Sequence, residues 1–361
     1  MNAFAHMTGE SFDNTKQSVD WRPPARSLLL RIFINDDDEF RCGWRALIFM
    51  ACWVLIVLVA NGVLEGVLRL VAPPVGRALY GLSPSGAGGQ YTPAVLLLAG
   101  FGSFMDLCGA VVASAVCARY LEHRGLASIG FKLHHGYASQ LAIGVAVGAI
   151  ALAVTVGLEV IAGSAGFSTQ QHTAGQDMIA FTGLAAMLGL AAAFEELFFR
   201  GFAFQALVHN LGPVVALAIA SVAFGLAHAF NPDATVLSTI NTILAGLWLG
   251  IAYLKTRSLW LCTGLHWSWN FVMVFVFGLP VSGLITFMGS GILEVQSRHP
   301  VWISGGDYGP EGGLAATVVL LLSTIAIWRS RRLKAEPEML DAIKHGKPEP
   351  RIISLSLNDK R

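Results

Sequence analysis

A chain of 361 residues of which 54% are hydrophobic and 13% charged, with mean hydropathy +0.60, carries more apolar surface than a water-soluble core of ordinary proportions can hide. The composition is that of a polytopic membrane protein. The net charge of +1 argues against nucleic acid as a partner, which requires a surface basic enough to neutralise many phosphates.

Residues 1–42 form a polar extension without the apolar run and small-residue cleavage site of a secretory signal. The run Asp36-Asp37-Asp38-Glu39 reads as a solvated face. Crossing ~30 Å of hydrocarbon takes roughly 20 apolar residues. About eight segments qualify: Ala46 to Leu70, Pro93 to Tyr120, Tyr137 to Gly163, Met178 to Leu207, Pro213 to Phe230, Val236 to Leu254, Leu259 to Leu279 and Leu314 to Trp328. The expected fold is an all-α polytopic membrane protein of about eight transmembrane helices around an intramembrane cavity, with residues 43–330 as the transmembrane domain. Pro73 to Pro93 and Gly283 to Gly313 read as long loops on the non-cytoplasmic side. Residues 331–361 form a tail, and from Ala335 its prolines and charges read as disordered.

With the N-terminus inside, thirteen Lys and Arg residues fall in the cytoplasmic flanks of the spans and three in the opposite flanks. By the positive-inside rule both termini are expected in the cytoplasm. The five cysteines, Cys42, Cys52, Cys108, Cys117 and Cys262, have no metal-type spacing and read as small buried hydrophobes. No internal repeat suggests inverted transporter halves.

The informative residues are ionisable and amide groups inside the apolar spans, because a charge at the bilayer centre costs at least ~2.5 to 3.5 kcal/mol. In Glu195-Glu196-Leu197-Phe198-Phe199-Arg200, Glu196 and Arg200 stand four apart and can pair on one helix face. Glu195, rotated about 100° from its neighbour, is left free. His228 closes Phe224-Gly225-Leu226-Ala227-His228, and alone it reads as an ordinary buried histidine. His266 and Asn270, again four apart, share a face and together could hold a negative charge developing on a carbonyl oxygen. Counting from the span ends, Glu195, His228, His266 and Asn270 lie ~18, ~22, ~10 and ~16 Å deep, near enough in depth to form one site. Glu65, Asp106 and Glu159 belong to no motif and read as interhelical hydrogen-bonding or span-end residues. Gly144 and Gly148 read as a close helix contact.

Glu-Glu-x-x-x-Arg, Phe-x-x-x-His and His-x-x-x-Asn, on successive helices in that order, resemble the three motifs of the CAAX prenyl protease and bacteriocin-processing family, also called the Abi family, whose best-known members are the Ras-converting type II CAAX endopeptidases. The resemblance covers about residues 118–328, the expected catalytic core, and no motif residue departs from it. Arg119 to Phe131, Gly278-Leu279-Pro280-Val281-Ser282-Gly283 and Gly305-Gly306-Asp307-Tyr308-Gly309-Pro310-Glu311 are similar to the bacterial branch. The resemblance implies a metal-independent glutamate endopeptidase of the bacterial inner membrane that acts on a membrane-anchored or hydrophobic peptide, prenylated or leader-type. It implies Glu195 as general base, His228 as a holder of the water, His266 and Asn270 as the oxyanion hole, and Glu196 and Arg200 as supports. A zinc peptidase using Glu195, His228 and His266 is an alternative reading of the same residues, although no H-E-x-x-H is present. A transporter or proton relay, or a scaffold or immunity protein that has kept the fold without activity, is another.

Overall fold

The computed structural model describes residues 32–35, 39–71, 93–169, 172–284 and 291–343. Most of the polar extension, all of the expected loop from Pro73 to Pro93 except Pro93 itself, and the tail beyond residue 343 lie outside them. Ten α-helices of seven residues or more are present among the described residues: α1 (Cys42–Val71), α2 (Pro93–Leu121), α3 (Tyr137–Ile161), α4 (Ala174–Arg200), α5 (Phe202–Leu211), α6 (Pro213–His228), α7 (Val236–Thr256), α8 (Leu259–Phe271), α9 (Leu314–Arg329) and α10 (Pro337–Ile343).

Six spans are long and apolar enough to cross a bilayer: Cys42–Val67, Pro93–Leu121, Tyr137–Ile161, Ala174–Leu211, Val236–Thr256 and Leu259–Val276. The protein is therefore an integral, multi-pass membrane protein. All eight expected segments are helical, but α6 and α9 have 16 residues each, about 24 Å at 1.5 Å per residue, and fall short of the full hydrocarbon thickness. The span from Met178 to Leu207 is not one helix. It breaks at Gly201, where a side chain would run into the Leu197 carbonyl oxygen. Thr173 and Gln176 form a capping box at the start of α4, Thr235 and Ser238 do the same for α7, and Ser258 caps α8.

α8 is the central helix. Of its most apolar window 72% is buried, against 6% for the peripheral α1, and α8 packs on α3, α4 and α7. Its approach to α3 depends on small residues. A Cβ on Gly144 would strike the Leu261 carbonyl oxygen, one on Gly148 the Leu265 carbonyl oxygen, and one on Gly264 the Leu141 carbonyl oxygen. The expected close contact at Gly144 and Gly148 is thus present, and it sets the position of the helix that bears His266 and Asn270. Gly144→Val should lower the melting temperature by an amount equivalent to ~1–3 kcal/mol of overpacking and reduce activity with it. Gly157→Ala, on the same helix with nothing within 4 Å of the added Cβ, is the matched control and should leave the melting temperature near wild type.

Three features depart from the expected fold. First, β1 (Ala165–Thr169) pairs antiparallel with β2 (Leu293–Ser297), with Phe167 opposite Val295, so a short two-stranded ribbon interrupts the all-α architecture. Ile292 and Val295 also donate backbone hydrogen bonds to the Phe275 and Phe277 carbonyls, which tie the ribbon to the π-helical turn Val272–Val276 that ends α8. Second, the tail does not lose its structure at Ala335. α10 docks through Met339, which is fully buried, onto the turn Leu126–Ile129. Third, Glu39 is not part of a solvated run: it accepts a 2.5 Å bond from Arg45, while Asp36–Asp38 lie outside the described residues. Arg45 also pairs with Glu122 at 3.1 Å, and Glu122 pairs with Arg124. Arg124 in turn donates to Gln205 at 2.7 Å, so this buried network fastens α1, the end of α2 and α5 together. All five cysteines are free thiols.

Candidate active site

α4 delivers both glutamates, and the 3.6-residue turn sends them in different directions. Glu196 is fully buried. Its Oε1 accepts from Arg200 Nη1 at 3.1 Å and from His266 Nδ1 at 2.9 Å. Arg200, itself buried, donates through Nη2 to the Gly246 carbonyl at 3.3 Å, and its guanidinium lies 4.3 Å from the centre of the Phe224 ring. The i,i+4 pair expected from the sequence is therefore present, embedded in cation–π and backbone contacts that offset part of the cost of burying charge.

Glu195 turns towards the second histidine nitrogens. Its Oε2 lies 3.7 Å from His228 Nε2 and 3.9 Å from His266 Nε2. That oxygen is buried and takes no hydrogen bond from the protein. These separations exceed a direct hydrogen bond and suit one bridged by water.

The other ring nitrogens fix the histidines. His228 Nδ1 lies 2.8 Å from the Phe224 carbonyl, and a carbonyl can only accept, so Nδ1 carries the proton and neutral His228 offers a lone pair at Nε2. His266 Nδ1 meets the Glu196 carboxylate in the same way. Its Nε2 can therefore donate only when the ring is an imidazolium, a charge the adjoining carboxylate offsets.

Glu195, His228, His266 and Asn270 line one cavity of about 100 Å³, room for several water molecules. Four residues from three separate helices, α4, α6 and α8, are thus brought together in one cavity. Among the described residues, no three His, Cys, Asp or Glu side chains are grouped so as to hold a metal ion.

The site also contains roles and groups that the motifs did not announce. Phe224 is more than a motif letter: its carbonyl sets the His228 tautomer, its ring centre lies 4.8 Å from that of His228 and 6.1 Å from that of His266, and its face receives Arg200. Glu311, from the loop ahead of α9, enters the same cavity with Ser282 and Trp269. Its Oε1 accepts from Trp269 Nε1 at 3.2 Å and its Oε2 from the Ser282 hydroxyl at 2.5 Å.

Residues 178–272 match the family model described as type II CAAX prenyl endopeptidase Rce1-like. Over that segment the protein is similar to the type II CAAX endopeptidases. The match runs from α4 to α8 and contains all seven residues named in the three motifs. The family implies intramembrane proteolysis of a membrane-associated peptide in a lipid environment. No curated protein and no solved structure matches the chain.

Proposed function

We propose that the protein is an intramembrane glutamate endopeptidase of the bacterial branch of this family, in which Glu195 activates a water for attack on a peptide carbonyl. The observation that carries this reading is the position of Glu195 Oε2, buried and without a protein hydrogen bond between two imidazole Nε2 atoms. A water there donates one hydrogen to Glu195 and the other to His228 Nε2, which leaves its lone pair facing the cavity. As the water oxygen bonds to the carbonyl carbon, its proton passes to Glu195. The resulting oxyanion is held by His266 Nε2–H and the Asn270 amide. When the tetrahedral intermediate collapses, the C–N bond breaks and the Glu195 proton passes to the departing amine.

Glu196 supports this cycle by offsetting the His266 charge, and Arg200 offsets Glu196 in turn. With His266 charged, Glu195, His266, Glu196 and Arg200 form a set of zero net charge, which limits the cost of placing it in a dry site. The catalytic core is residues 118–328 within a transmembrane domain of 43–330, with both termini on the cytoplasmic side of the inner membrane, as the Lys and Arg distribution supports.

The mechanism needs no metal. Cleavage of a hydrophobic peptide by the purified protein should therefore survive exhaustive chelation, with no stoichiometric zinc found by elemental analysis. Loss of cleavage on chelation with specific recovery on adding zinc would replace this mechanism by one in which Glu195, His228 and His266 are ligands.

A further inference from the structure

Glu311 lies outside residues 178–272, which match the family model, yet its carboxylate lines the cavity that holds Glu195, His228, His266 and Asn270. Its loop is firmly built. Asn241 Nδ2 donates to both the Glu311 and Gly313 carbonyls at 2.8 Å, and Asn241 Oδ1 accepts from Thr317 at 2.6 Å, which locks the loop to α7 and α9. Gly309 holds φ +92°, and a side chain there would run into the Pro280 carbonyl oxygen, so the turn leading into Glu311 closes on the segment that carries Ser282.

The hydrogen bonds to the Glu311 carboxylate come from Trp269 and Ser282, both neutral. They orient the two oxygens and leave about two of the roughly four acceptor positions of a carboxylate unused. No described cation pairs with it, whereas the charges of Glu195, Glu196, His266 and Arg200 compensate one another. The cavity is left with one negative charge for an incoming ligand to meet.

We propose that Glu311 determines substrate specificity by receiving a lysine or arginine side chain that flanks the scissile bond. This rests on the proteolytic reading and deepens it. The site selects an internal, cationic segment of a membrane peptide, and disfavours a substrate that places a carboxylate, including a free C-terminus, in the same position.

The test uses the purified full chain in detergent and a library of hydrophobic peptides of transmembrane length, randomised at the central positions, with cut sites identified by mass spectrometry. In wild-type products, Lys and Arg should be enriched over Met beside the cut by roughly tenfold or more, and Asp and Glu depleted. Glu311→Gln should abolish this ratio, and Glu311→Asp, which keeps the charge, should retain it. Wild-type cuts without cationic enrichment, or enrichment unchanged in a folded Glu311→Gln protein, would overturn the proposal while leaving proteolysis intact. The first of these outcomes needs no variant, so it decides the matter even if Glu311→Gln does not fold. A library left uncut by wild type and Glu195→Gln protein alike would overturn both readings.

Discussion

Glu195→Gln should leave the protein folded and lower peptide turnover by at least ~10²-fold, the usual contribution of a positioned general base. The substitution conserves shape and removes only the ability to take a proton. Because Glu195 Oε2 accepts no protein hydrogen bond, little structure depends on its charge. The melting temperature of the detergent-solubilised variant should match wild type while cleavage falls. Cleavage at the wild-type rate would remove Glu195 from the mechanism.

Glu196→Gln should behave differently although it changes the adjacent residue. Its Oε1 accepts from both Arg200 and His266 in a fully buried setting. Neutralising it strands the Arg200 guanidinium, and losing one partner of a buried ion pair costs ~3–5 kcal/mol. The lower end applies, since the Gln carbonyl oxygen can still accept from one of the two donors. His266 also loses the charge that supports its imidazolium, so activity should fall even in the folded fraction. Melting temperature and cleavage measured on both variants separate the roles: the first should lose only rate, the second both rate and stability. A stable, inactive Glu196→Gln beside a fully active Glu195→Gln would reverse the assignment.

The parts of this site that the sequence disclosed are those joined by helix periodicity. Glu196 and Arg200, and His266 with Asn270, sit at i,i+4 spacing, and that interval alone places each pair on one face. The meeting of Glu195 with His228 and His266 was foreshadowed by their depth in apolar spans, where polar groups are costly and turn inward. Glu311 carries neither signal: the resemblance of Gly305–Glu311 to the bacterial branch marks its loop, and nothing in the spacing places its side chain in the site. It belongs to a glycine-rich loop whose path depends on Asn241, Trp269 and Ser282, residues remote in sequence. The β ribbon was hidden for a related reason: Ala165–Thr169 and Leu293–Ser297 are each five residues long, and their pairing spans more than a hundred residues with no hairpin turn to announce it. The Gly201 break was concealed by a largely apolar sequence from Leu197 to Leu207, interrupted by Arg200 and Gln205, in which the backbone changes direction at one glycine. The docked helix Pro337–Ile343 was masked by its charged composition, since Met339 supplies its buried anchor.

Cleavage of membrane proteins in living cells bears most directly on the central claim, that this cavity hydrolyses peptide bonds through Glu195. Proteomes of cells that contain either the wild-type protein or Glu195→Gln at equal abundance should be compared by mass spectrometry for N- and C-termini generated within or beside apolar segments. New termini confined to wild-type cells are the predicted result, and identical termini in both would contradict the account.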